Sequence, residues 1–340
     1  MKHAQHTDAP RGSARRRPII MALVLAFDAS LLGCQWIYGI EDTAETARQP
    51  ETGTPEGGSP DGAPAESDAS GGSTGGPDGG VSGSGGTGEQ EECARPCGSL
   101  EQCSKVGGKA ECVAKLVTVT GGYAIDATEV TRSQYEAWLS TNPSTGGQRS
   151  ECSWNTVFSP ASGCMSGERV CQGSGCGQHP QVCVDWCDAV AYCQGVGKRL
   201  CGKIGGGANA YGDYKDATKS QWYKACTSDG QNGYPYLDAY SAQACNGWDK
   251  GIQTTVETGS LRICQSSSSG YKGVYDLSGN VWEWEDSCSD TYGLSDNCRL
   301  RGGSFNRDDI GLRCDSDSDS DFLSRDPTGG DVIGFRCCSP

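Results

Sequence analysis

The chain has 340 residues, a formal net charge of −15, three histidines and 21 cysteines. So acidic a chain has no means of neutralising a run of phosphates, which excludes a nucleic-acid partner. So many cysteines belong to an oxidising compartment, where they pair as disulfides, and the lack of any Cys-x-x-Cys argues against a zinc ribbon or a thioredoxin-like centre.

Taken in order, Arg11, Arg15, Arg16 and Arg17 precede an apolar run from Ile19 to Phe27, the pattern of a signal peptide too short to span a membrane permanently. Leu31-Leu32-Gly33-Cys34 then resembles the lipobox of bacterial lipoproteins, so residues 1–33 are predicted to be removed and Cys34 to carry lipid. Asp28 within the apolar region departs from that pattern, and an ordinary signal peptide with a chance Gly-Cys is the alternative. Parity favours the lipid anchor, because an odd cysteine count becomes even once Cys34 is set aside. Residues 34–90 are almost wholly Gly, Ser, Pro, Thr, Ala and acids beyond Thr43; they cannot bury enough to fold and are predicted to form a tether reaching on the order of 40 Å.

Residues 91–115 hold Cys93, Cys97, Cys103 and Cys112, a small module closed by two disulfides in one of three pairings. A metal cluster is the rival, but the compartment favours covalent bonds and no histidine is nearby.

The main domain is predicted over 116–340. Leu116–Thr120 and Tyr123–Asp126 alternate as strands, and Thr131-x-x-Gln134 is a capping-box pattern opening a helix with Tyr135, Trp138 and Leu139 inward. Cysteine-rich loops fill 141–183, Asp185 caps a helix with Trp186, Ala189, Val190 and Cys193 inward, and a further helix is predicted over 220–226. The stretch 273–286, with a turn at Gly279-Asn280, predicts a strand carrying Trp282 and Trp284 toward the core and an acidic outer edge. Short strands are predicted over 300–305, 311–314 and 332–337.

Tyr123–Thr131, Val184–Ala189 with Tyr192-Cys193 and Gly197–Leu200, the stretch 273–286, Arg301–Phe305 and Gly334-Phe335-Arg336 occur in the order seen in the formylglycine-generating-enzyme, or sulfatase-modifying-factor, family. The resemblance implies an α+β fold related to C-type lectins, disulfide-rich and poor in regular secondary structure. It implies calcium bound by the side chains of Asp276 and Glu283 and the carbonyls of Gly279 and Val281, a ligand set of the hard-oxygen kind that calcium takes. It also implies the bridges Cys193–Cys337 and Cys226–Cys314, and a pocket lined by Trp282 and Ser304. A second family calcium site is degraded, because the Asp-Gly-Phe expected after Asn246 is missing.

The catalytic centre does not carry over. Family enzymes hold a copper-binding cysteine pair after the Gly-Gly-Ser motif, whereas Asn306–Arg313 contains no cysteine. Iron-dependent relatives use several histidines; after residue 33 only His179 remains, a predicted surface residue. The alternating acids of 315–321 are predicted to be a solvated edge. The chain is therefore predicted to be an exported, membrane-anchored lipoprotein of the bacterial cell envelope, binding a protein, peptide or carbohydrate ligand. The alternative is an oxidase of the same family, with a relocated cysteine pair and copper or with another metal centre.

Overall fold

The computed structural model describes Cys93 and residues 95–317, 322–325 and 330–339. The predicted signal peptide, Cys34, the tether and part of the 315–321 acid run lie outside the described residues. Residues 91–115, set apart in the sequence as a module, contribute an antiparallel hairpin of β1 (Glu101–Val106) and β2 (Lys109–Ala114). Its cysteines pair as Cys93–Cys103 and Cys97–Cys112. Val106 and Val113 pack into the main core, so the hairpin shares its hydrophobic burial with the rest of the chain.

A four-stranded antiparallel sheet follows, built from β3 (Leu116–Val119), β4 (Tyr123–Asp126), β5 (Arg199–Leu200) and the C-terminal strand, in the order β3-β4-terminal strand-β5. Helix α1 (Arg132–Leu139) begins at Thr131, whose side chain accepts from the Gln134 amide while Gln134 reaches back, the reciprocal cap its sequence predicts. After the four-residue α2 (Ser162–Met165), helix α3 (Trp186–Gly195) is capped by Asp185 and Asp188 in the same way. Helix α4 (Gln221–Thr227) is capped by Ser220.

The second sheet is mixed. Strand β6 (Trp282–Cys288) lies at its centre between antiparallel β7 (Asn297–Arg301) and parallel β9 (Ile333–Phe335), with β8 (Phe322–Ser324) beyond β7. The C-terminal strand, β10 (Cys337–Cys338), crosses back to the first sheet. Residues 302–305 and 311–314 are bends, turns and irregular chain rather than the predicted strands. Cys314, inside one of them, is fixed instead by its bridge to Cys226.

The predicted acidic outer edge of β6 is corrected by the packing. Trp282 and Trp284 join the core around α3, but Glu283, Glu285 and Asp286 are also buried. Each is paired with an arginine from a distant segment: Glu283 with Arg336 at 2.6 Å, Glu285 with Arg301 at 3.1 Å and Asp286 with Arg149 at 2.7 Å. The odd-numbered acids point toward α4 and its cap, where Glu283 accepts from the Trp222 indole and Glu285 from Ser220. Strand alternation places these side chains on a second buried face, and burial without partners would cost several kcal/mol per charge.

Ten disulfides lie among the described residues. Two are side by side: adjacent Cys337 and Cys338 bridge to Cys193 and Cys201, tying β10 to the end of α3 and to β5. No helix among the described residues is long and apolar enough to cross a membrane.

Candidate functional site

The turn before β6 carries three residues at positive φ, Asp276 (58°), Gly279 (76°) and Asn280 (62°). Gly279 is required there, because a Cβ would stand 2.3 Å from the Asn246 carbonyl oxygen, and backbone cannot give way as a side chain does. Asn246 pairs with this turn as a parallel bridge and receives the Asn280 amide on its carbonyl at 2.8 Å.

Of the four residues implied to hold calcium, Asp276 and Glu283 are brought into one buried cluster, with Glu129 and Arg336. Both oxygens of Glu283 are engaged: Oε1 accepts from Arg336 at 2.6 Å, and Oε2 accepts from Arg336 at 2.7 Å and from Trp222 Nε1 at 2.9 Å. Glu283 is thus fully engaged in an ion pair with Arg336. Asp276 Oδ2 accepts from the Gly259 amide at 2.6 Å, while Oδ1 is buried without a hydrogen-bond partner. Burial, reinforced by the neighbouring acids, pushes Glu129 well above the ordinary carboxylate range. Burial likewise raises Asp276 to about 6.

Sequence reasoning gives Glu129 no role, although it stands in the Tyr123–Thr131 motif. Its signal was an acid next to Val130 at the exit of a core strand. Arg336 stands in the Gly334-Phe335-Arg336 motif, but nothing local says that it reaches Glu283, 53 residues away.

Trp282 and Ser304, implied to line a pocket, lie inside the fold. Both residues are buried, the Arg307 guanidinium lies 5.5 Å from the Trp282 ring centre, and Ser304 donates to Asn306 at 2.7 Å. The 306–313 loop, which contains no cysteine, carries Arg307 to this place. His179 is half-buried, its Nδ1 2.9 Å from the Thr255 hydroxyl, and burial lowers its pKa.

An open apolar surface adjoins the 306–313 loop. Tyr234 stacks on Tyr236 and tilts against Tyr240, and the Cys245–Cys264 bridge staples the loops around them. A groove of about 430 Å³ next to this cluster is lined by Tyr236, Leu237, Ala244, Ile263 and Gln265, with Leu237 and Ile263 each more than half exposed. Exposed Ile310 and Trp248 belong to the loops that meet here, Tyr234 donating to the Asp309 carbonyl and Trp248 to the Arg307 carbonyl. Such clustering of large apolar side chains marks a contact surface more often than chance exposure does. A larger hollow of about 810 Å³ along the β1–β2 hairpin is less suited to a ligand, since its Arg95 and Glu101 pair with each other at 2.7 Å.

Residues 85–339 match the family model of the sulfatase-modifying factor enzyme 1-like domain. A formylglycine-generating enzyme of Thermomonospora curvata is 33% identical over 121 residues, covering 33% of this chain and 33% of that protein. The formylglycine-generating enzyme of Mus musculus is 29% identical over 120 residues, covering 31% of this chain and 26% of that protein. The chain thus spans a third or less of the curated relatives it matches. Among solved structures, CarF aligns with TM-score 0.43 and 22% identity over 64% of this chain and 86% of that one. PvdO from Pseudomonas aeruginosa aligns with TM-score 0.43 and 21% identity over 71% and 90%. Variable protein 1 of Treponema denticola gives 0.42 and 17% over 71% and 99%. The chain belongs to the sulfatase-modifying-factor, or formylglycine-generating-enzyme-type, family, and its domain is a mixed helix and sheet fold rich in disulfides.

Proposed function

We propose that this protein is an exported lipoprotein, anchored through Cys34, whose family domain has lost the dithiol oxidase centre and serves as a binding domain. The supporting observation is that the ten bridges consume every cysteine after Cys34, and that Arg307 rather than a thiol stands over Trp282. That pairing also leaves Cys34 no partner within its own chain, as acylation requires. The apolar groove beside Tyr236 is the surface offered to the protein, peptide or carbohydrate ligand.

The experiment is a thiol count on denatured, unreduced protein, followed by incubation with copper and a sulfatase-like cysteine peptide. The expected result is no free thiol in the domain and no aldehyde in the peptide. Two reactive thiols with peptide oxidation would establish the alternative, an oxidase with a relocated cysteine pair. One observation favours that alternative: Cys171 and Cys176 are only 5 residues apart and Cys171 is partly exposed. Loss of peptide oxidation in Cys171→Ser would then identify the pair.

A further inference from the structure

We propose that the β1–β2 hairpin is a thiol–disulfide exchange site, at which Cys103 takes up the thiol of an outside molecule and the neighbouring bridge absorbs the displaced thiolate. The proposal stands whether the domain binds or oxidises its ligand, because it concerns only residues 93–112. The hairpin register sets Cys103 directly opposite Cys112, so their side chains stand on one face. Each bridges to the incoming segment, Cys103 to Cys93 and Cys112 to Cys97, which lays two disulfides side by side. The sulfurs of Cys93, Cys97 and Cys103 all lie within 4.8 Å of one another, although Cys97 is bonded to neither of the other two. Among the described residues no other three cysteines come so close.

Access to the four sulfurs is graded. Cys103 is exposed, Cys93 and Cys97 are half-buried, and Cys112 is buried. The hollow of about 810 Å³ along the hairpin is lined by Cys93, Cys97 and Cys103. Its Arg95 and Glu101 neutralise each other, so what it offers an incoming molecule is sulfur rather than charge. Exchange needs an attacking thiolate and an accessible disulfide sulfur, and Cys103 supplies the second. An outside thiolate attacks Cys103 Sγ, so that a mixed disulfide forms, the Cys93–Cys103 bond breaks and the electron pair leaves on Cys93. Cys93, already within 4.8 Å of Cys97, attacks it in turn: Cys93–Cys97 forms, Cys97–Cys112 breaks, and the electron pair passes to Cys112. Burial there favours the neutral thiol, which takes up the proton given up by the incoming thiol. One outside thiol is bound and one buried thiol is formed, so the sequence consumes neither oxidant nor reductant.

The test uses the purified full-length mature protein, incubated without denaturant with reduced glutathione at mildly alkaline pH. The reaction is stopped with acid, free thiols are labelled with N-ethylmaleimide in acidic denaturant, and the unreduced peptides are mapped by mass spectrometry. The expected products are glutathione on Cys103, a Cys93–Cys97 bridge and the label on Cys112, formed about tenfold faster than any adduct at the partly exposed Cys171 of the Cys171–Cys176 bridge. Paired Cys97→Ala and Cys112→Ala substitution removes the second bridge while leaving Cys93–Cys103, and should move the label to Cys93. Should that variant fail to fold, the wild-type map decides alone. A short cysteine peptide run in parallel assigns the site to peptide thiols if it reacts faster than glutathione and to low-mass thiols if it reacts more slowly; either order upholds exchange. Glutathione on Cys103 of wild type with the label on Cys93 and Cys97–Cys112 intact would overturn the relay. A hairpin that reacts no faster than Cys171–Cys176 would overturn the proposal as a whole.

Discussion

The paired bridges at the C-terminus allow a quantitative test of how the disulfides stabilise this fold. Cys193–Cys337 and Cys201–Cys338 close loops with sequence separations of 144 and 137 residues, and their ends are near neighbours: Cys337 next to Cys338, and Cys193 eight residues before Cys201. Chain-entropy reasoning assigns about 5 kcal/mol to closing the large loop once. With the first bridge formed, the second closes a ring of only about ten residues, which adds about 3 kcal/mol. Removing either bridge by paired Cys→Ala substitution should therefore cost about 3 kcal/mol from loop entropy, because the other still closes the large loop. Removing both should cost about 8 kcal/mol, about 2 more than the two single losses together. Local packing losses at the buried sulfurs enter each arm and largely cancel in the cycle. Urea unfolding of the four proteins, followed by the fluorescence of the buried Trp282 and Trp284, supplies the free energies. Additivity within about 0.5 kcal/mol would refute the shared-loop reasoning.

The carboxyl of Asp188, in the α3 capping box beside Asp185 and Asn155, is raised by burial from 3.8 to about 7. A folded pKa above the unfolded one gives a contribution that is complete below about pH 4 and lost as pH rises through about 7. The stability of wild type relative to the permanently neutral Asp188→Asn should thus fall by up to about 2.5 kcal/mol between pH 5 and pH 8; a difference constant with pH would contradict that shift. Gly279→Ala should destabilise the domain by several kcal/mol, since it adds strain at positive φ to a backbone clash. A melting temperature within a degree or two of wild type would show that the turn can open away from Asn246.

Local patterns carried much of the fold. The capping boxes at Thr131 and Asp185 lie within a few residues of the helices they start, so the sequence contains both halves of each interaction. The same holds for the Gly279-Asn280 turn and for the tryptophans of β6, whose alternation faces the α3 core. The short strands near the C-terminus were less legible, because β9 and β10 have only three and two residues and are fixed by partners elsewhere. The resemblance to a family added the positions where Cys193, Cys337, Cys226 and Cys314 come together.

By itself, then, the sequence determined the disulfide-forming cysteine content, the family, and the lack of cysteine in residues 306–313, since composition and contiguous motifs are one-dimensional properties. Only the tertiary structure decided the electrostatics. It brought Arg336, Arg301 and Arg149 to the acids of β6, turned a supposed solvent edge into a buried one, set Arg307 over Trp282, and buried Glu129 and Asp276 beside Glu283 with no ion-pair partner of their own among the described residues. Whether a carboxylate is an ion-pair partner or a cation ligand depends on which charges fold against it, and those charges come from segments that no local pattern connects.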